Sequence, residues 1–136
     1  MSVDEALSIL NGEQQPAKQR KAPIQREHSL QTACVQWARL QYPKLIVFAI
    51  PNGAFCGYKQ GRKLVAEGMQ KGIPDLCVAL PRKGYHGLFI EMKAGKKGVV
   101  REEQTEMMIK LKDAGYQCAV CRSFEQFQSI INSYIS

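Results

Sequence analysis

The stretch that most constrains this chain is Gly72–Lys93, GIPDLCVALPRKGYHGLFIEMK, where two short apolar runs flank a turn-forming segment. Leu76–Leu80 and Leu88–Met92 have strand composition, and Pro81–Gly87 between them carries the proline and glycines of a hairpin connection. In an antiparallel pair the numbers of facing residues have a constant sum. A hairpin centred near Lys83 therefore sets Asp75 opposite Glu91, with Cβ atoms about 5 Å apart, close enough for both carboxylates to serve one metal site. Side chains alternate along a strand, so Glu91 and Lys93 share one face while Leu88, Ile90 and Met92 point into a core on the other. Taken singly, each charged residue reads equally well as a solvated strand-end charge. Together they interrupt an apolar strand, and charged groups are seldom buried unless paired or metal-bound.

The elements around the hairpin follow from periodicity. Leu30, Ala33, Cys34, Trp37, Ala38 and Leu40 recur at helical spacing, which predicts a first helix over Glu27–Tyr42, closed by Pro43. Glu27 and Gln31 lie on or beside the apolar stripe of this helix; Glu27 is either a carboxylate turned toward the core side or a first-turn acid favoured by the helix dipole. Leu45–Ile50 is apolar without alternation, the pattern of a strand buried on both faces, and predicts a central strand. Residues 51–72 read as a loop with one or two helical turns around Arg62–Glu67. Its cations, Lys59, Arg62, Lys63 and Lys71, interleaved with Phe55 and Tyr58, suit either a phosphate-contacting rim or a solvated loop. Lys96 and Lys97, in the turn after the second hairpin strand, are grouped with that rim.

A helix over Arg101–Ala114 ends at Gly115, with Gln104 among the inward positions Met107, Met108 and Leu111. That glutamine lies at the solvent end of the stripe or reaches a neighbouring site. Tyr116–Cys121 is a strand, and Ser123 with Gln126 caps a last helix whose apolar face is Phe124, Phe127, Ile130, Ile131 and Tyr134. The order predicts an α/β domain over residues 26–136, with helices flanking one mixed sheet. Residues 1–25, polar after Ile9, read as a mobile arm in which Val3–Leu10 has the makings of a short helix.

At 136 residues the chain has room for one domain. Its formal charge of +7 favours a polyanionic partner such as nucleic acid. No stretch approaches a bilayer span, and the N-terminus lacks signal-peptide features, so a cytoplasmic protein with no membrane contact is expected. Five cysteines, mostly in apolar runs, suit reduced thiols. Cys118 and Cys121 have zinc-ligand spacing but no second pair, and on a strand they face opposite ways. No phosphate-binding Gly-Lys-Ser/Thr loop and no Gly-x-Ser-x-Gly nucleophile elbow is present.

Pro74-Asp75 followed by Glu91-Met92-Lys93 resembles the PD-(D/E)xK nuclease signature. Glu27 and Gln31, Pro51-Asn52-Gly53, Gly72–Leu76, Gly87–Lys93, Gln104 and Gly115-Tyr116 together look like the VRR-NUC family, across about Glu27–Arg122. The compact length resembles the standalone viral and bacterial members, which would place a viral protein in the cytoplasm of its bacterial host. One departure is Arg101, where the family usually has a capping Ser or Thr; without that cap the helix start is expected to shift.

The resemblance implies a restriction-endonuclease-like core and Mg²⁺- or Mn²⁺-dependent hydrolysis of DNA phosphodiesters. Asp75 and Glu91 would be ligands, with the main-chain carbonyl of Met92 as a third, and Lys93 would act near the scissile phosphate. Glu27 and Gln104 become candidates for a second metal ligand, a water contact or the positioning of Lys93. It further implies a homodimer acting on branched DNA such as four-way (Holliday) junctions, its interface drawn from Val3–Leu10 or the first helix. A non-catalytic nucleic-acid-binding module of the same fold would be expected to lack Asp75, Glu91 or Lys93, and all three are present. A small basic protein-binding adaptor is the third reading, distinguished by whether divalent metal binds.

Overall fold

A computed structural model describes residues 23–51 and 57–136. The expectations for residues 1–22, and for Asn52, Gly53 and Phe55, lie outside the described residues.

Four strands, β1 (Val47–Ala49), β2 (Leu76–Val78), β3 (Leu88–Met92) and β4 (Gln117–Cys121), form one sheet in the order β1-β2-β3-β4. β1, β2 and β3 are antiparallel neighbours, and β4 runs parallel to β3. Leu76 pairs with Ile90, Cys77 with Phe89 and Val78 with Leu88, the register that the constant-sum rule gives. Arg82 and Tyr85 exchange both main-chain hydrogen bonds around Lys83 and Gly84, whose φ angles are 54° and 84°. Such a two-residue turn matches the right-handed twist of the strands it joins.

The helices are α1 (Pro23–Gln41), α2 (Tyr58–Ala66), α3 (Glu102–Asp113) and α4 (Phe124–Ile135). α1 begins about a turn before the expected Glu27: proline at a first helical position sacrifices no intrahelical N–H bond, so the polar residues after it extend the helix. Leu30, Ala33, Cys34 and Ala38 of α1 and Phe124, Phe127, Ile131 and Tyr134 of α4 are buried with Leu76, Val78, Leu88, Ile90 and Met92 in one core. Trp37 sits edge-on to Tyr42, Phe124 and Phe127, knitting α1 to α4. Burying each such large apolar side chain contributes about 1.5–3 kcal/mol. α3 lies over the other face, where Cys118 contacts the Met108 carbonyl, while Cys121 is buried in the core. The two thiols thus face apart, and all the described cysteines are free.

Two expectations are corrected. β1 is one of the two edge strands among the described residues, not a central one: Phe48 and Ile46 are 43% and 61% exposed. Its apolar run arises because Val47 fills the core while Arg39 Nη2 donates to the outward Val47 carbonyl, covering the edge in place of a neighbouring strand. Residues 58–66 form a nine-residue helix rather than a turn or two. Among the described residues, no helix is long and apolar enough to cross a membrane.

Candidate active site at the end of β3

The hairpin register brings Asp75 and Glu91 to the same end of the sheet. β1 runs toward this end and β2 starts from it, and the Ile50 N–H donates to the Asp75 carbonyl at 2.8 Å. Main-chain bonding along β3 alternates. The Lys93 N–H goes to the Cys121 carbonyl of β4, whereas the Met92 N–H points the other way and donates to Asp75 Oδ2 at 2.8 Å. Asp75 is thereby tethered to β3 one residue beyond Glu91.

Glu91 is 2% and Lys93 8% exposed, the two buried charged residues among those described. Lys93 Nζ lies 3.5 Å from Glu91 Oε1, and the same oxygen accepts a 2.8 Å bond from Gln104 Nε2. Glu91 Oε2 is buried with no hydrogen-bond partner. Burial, and then the neighbouring Asp75 charge, push the Glu91 carboxyl from 4.5 up to about 8, against the opposing pull of Lys93. A buried acid beside another acid, with an orphaned oxygen, is the environment a divalent cation relieves: it supplies the missing positive charge and takes the free lone pairs.

Gln104 is held at both ends of its amide. Oε1 accepts the Arg101 N–H at 2.9 Å, so Nε2 is the end turned to Glu91. A guanidinium has no acceptor atom, so only this reciprocal half of a capping box forms at the start of α3. That half, with Glu102 and Glu103 in the first turn, holds the helix start at Glu102 with Arg101 as N-cap, so the shift expected from the missing Ser or Thr does not occur. Gln104 contacts Glu91 directly, a partner the sequence did not indicate. Glu27 remains half-buried on α1. Among the described residues no three His, Cys, Asp or Glu side chains group to hold an ion, so Glu27 does not complete a carboxylate triad with Asp75 and Glu91.

Gly72, quoted above only as the end of a stretch and for the family resemblance, and Gly98 and Arg122, which the sequence did not single out, hold this arrangement. Gly72, at φ +80°, packs so closely on α3 that a Cβ would lie 2.5 Å from the Glu103 carbonyl oxygen, locking the Asp75 segment onto the turn that carries Gln104. A Cβ on Gly98 would be 3.0 Å from Lys93 Cβ, so the loop after β3 lies against the lysine stem. Arg122 Nη1 donates to the carbonyls of Gly95 and Gly98, at 3.1 and 2.6 Å, and fixes that loop. The glycines were visible as turn formers, but close approach to a distant helix leaves no local pattern. Lys96 and Lys97 are exposed on the same loop, and Lys59, Arg62, Lys63 and Lys71 are exposed on and after α2.

The sequence matches the VRR-NUC domain family over residues 11–125, and the chain belongs to that family of nuclease domains. A solved structure described as a VRR_NUC domain protein is similar to this chain with a TM-score of 0.66 at 25% identity, covering 80% of this chain and 87% of that one. None of the curated proteins searched matches.

Proposed function

We propose that the chain is a Mg²⁺- or Mn²⁺-dependent endonuclease that hydrolyses phosphodiester bonds in branched DNA, four-way junctions among its substrates, and that it works as a homodimer. The observation that carries the catalytic part is Glu91 Oε2, a buried, partnerless carboxylate oxygen beside Asp75 and Lys93. Asp75 and Glu91 offer the hard oxygen ligands these ions prefer. In an extended strand the N–H and C=O of one residue point to the same neighbour. The Met92 N–H goes to Asp75, which supports the Met92 carbonyl as a third ligand from the same side.

Bound there, the ion would supply an activated water and offset the charge that builds on the phosphate. The residues of the chain have separate tasks. Lys93, held against Glu91, places a positive charge at the non-bridging oxygens of the scissile phosphate. Gln104 fixes the Glu91 carboxylate so that Oε2 stays turned to the ion. Lys59, Arg62, Lys63, Lys71, Lys96 and Lys97 contact flanking phosphates, in keeping with the charge of +7. One site cuts one strand, so paired cuts across a branch call for two copies related by a two-fold axis.

A panel of labelled DNAs (single strand, duplex, flap and four-way junction) incubated with EDTA, Mg²⁺ or Mn²⁺ tests the proposal, beside sedimentation of the free protein. Metal-dependent cutting that favours branched substrates, by a protein that sediments as a dimer, is expected. Equal cutting of plain duplex by a monomer would refute the substrate and assembly claims. Cutting in EDTA would refute the metal claim.

A further inference from the structure

Helix α2 buries none of its residues, yet one of its faces is apolar. Tyr58 is 80% and Val65 59% exposed, and with Gly61, Arg62 and Met69 they line one open groove. The Arg62 guanidinium lies over the Tyr58 ring, 5.7 Å from its centroid, while most of the tyrosine stays open to solvent. Lys59 and Lys63 stand exposed on the same helix.

In sequence α2 lies between Ile50 and Asp75, which are hydrogen-bonded at the end of the sheet where the acids sit. An apolar, aromatic groove flanked by cations has a limited choice of partner. Protein interfaces are depleted of lysine at their centres. An intact duplex keeps its base faces stacked inside and offers α2 only phosphates. A strand with unpaired nucleotides presents flat apolar faces and negative charge together.

Resting on the nuclease reading, we infer that the Tyr58 face of α2 stacks an unpaired base of the DNA, with Lys59 and Lys63 on the adjoining phosphates. On a flap or other branch that carries unpaired nucleotides, the feature that this protein recognises is then the exposed base faces. Tyr58 supplies the stacking plane, Arg62 orients it, and Val65 and Met69 line the groove beside the base.

Binding in EDTA tests this apart from cleavage. The full chain is titrated by fluorescence anisotropy into a labelled single strand and into a blunt duplex of the same sequence, and a strand carrying 2-aminopurine reports stacking by quenching. Tyr58→Ala is expected to weaken single-strand binding about 5- to 150-fold, the range for losing one base–aromatic stack, and to abolish most of the quenching. Duplex binding should change by less than about two-fold, and Tyr58→Phe and Tyr58→Trp should retain single-strand affinity. Because Tyr58 is exposed, these variants keep the fold. Equal losses on both probes, no loss on either, or no single-strand binding by the unaltered protein would overturn the inference. So would unchanged affinities with a dimer converted to a monomer, which would assign the face to a second copy. If stacking is seen but no DNA is cut with Mg²⁺ or Mn²⁺, the nuclease reading falls and the stacking site stands.

Discussion

The end of the β2–β3 hairpin and helix α2 are built in opposite ways. On the hairpin, Glu91 and Lys93 are buried and Asp75 is fixed by a main-chain N–H. On α2 every residue is at least partly exposed. The contrast separates two physical tasks. A cation site needs ligands held in advance, because desolvated charges are strong only where their geometry is fixed. Contact with a long polyanion sums many weak, solvated attractions, and mobile side chains on an exposed helix suffice for that.

Substitutions should divide along the same line. The largest effect is expected on the hairpin: Asp75→Ala or Glu91→Ala should lower cleavage at least about 1,000-fold while DNA affinity changes by less than about three-fold, measured as single-turnover rates and anisotropy titrations. Loss of both together would erase the distinction between the two regions.

A smaller loss is expected where the two parts of the site meet. Gly72→Ala puts a Cβ against the Glu103 carbonyl in a backbone conformation that alanine resists, so the first turn of α3 must shift and take Gln104 with it. Cleavage should fall roughly 10- to 100-fold, with a drop of several degrees in melting temperature. Gln104→Ala, which removes the Glu91 contact without the clash, should lower cleavage about 10-fold with less effect on melting. Equal melting losses in the two variants would show that Gln104 serves packing rather than the carboxylate.

How legible each region was in the sequence follows from the same physics. The facing of Asp75 and Glu91 could be read because strand pairing obeys a sum rule, which β2 and β3 keep although the Arg82–Tyr85 turn is offset from it by one residue. Both are short-range properties, and the apolar alternation of Leu88, Ile90 and Met92 confirmed the register. The edge position of β1 was not legible: an apolar hexamer looks the same whether a strand or an arginine covers its outer edge, and Arg39 is remote from that run. The full length of α2, beyond a turn or two, was not legible because glycine and lysine are abundant there and its apolar face, with Tyr58 and Val65, is exposed rather than packed on the core. The Gln104–Glu91 bond joins two elements whose relative placement only the packed structure defines.

On the α2 side the effects should be graded and salt-dependent. Lys59→Ala and Lys63→Ala should each weaken DNA binding a few-fold and reduce the slope of log affinity against log salt by about one. Cleavage at saturating DNA should be unaltered. A fall in the saturated rate would place these lysines in the chemistry instead.

The smallest effect concerns stability without metal. Glu91 holds its proton more tightly in the folded chain, with a pKa of about 8 against 4.5. Its contribution is therefore fully present below the unfolded value and is lost as pH rises through about 8. Melts in EDTA between roughly pH 5 and 9 should show this contribution declining from the acid end and levelling off above about pH 8, and Glu91→Gln should flatten that decline.

That bound proton also offers the most direct test of the site. Calorimetric titration of Mn²⁺ near neutral pH, repeated in buffers of different ionisation enthalpy, counts protons released on binding. Mn²⁺ should bind with release approaching one proton, as the ion displaces the one on Glu91, and Asp75→Ala and Glu91→Gln should both abolish binding. Mn²⁺ bound undiminished in those variants, or no binding by the unaltered chain, would contradict a cation site built from Asp75 and Glu91.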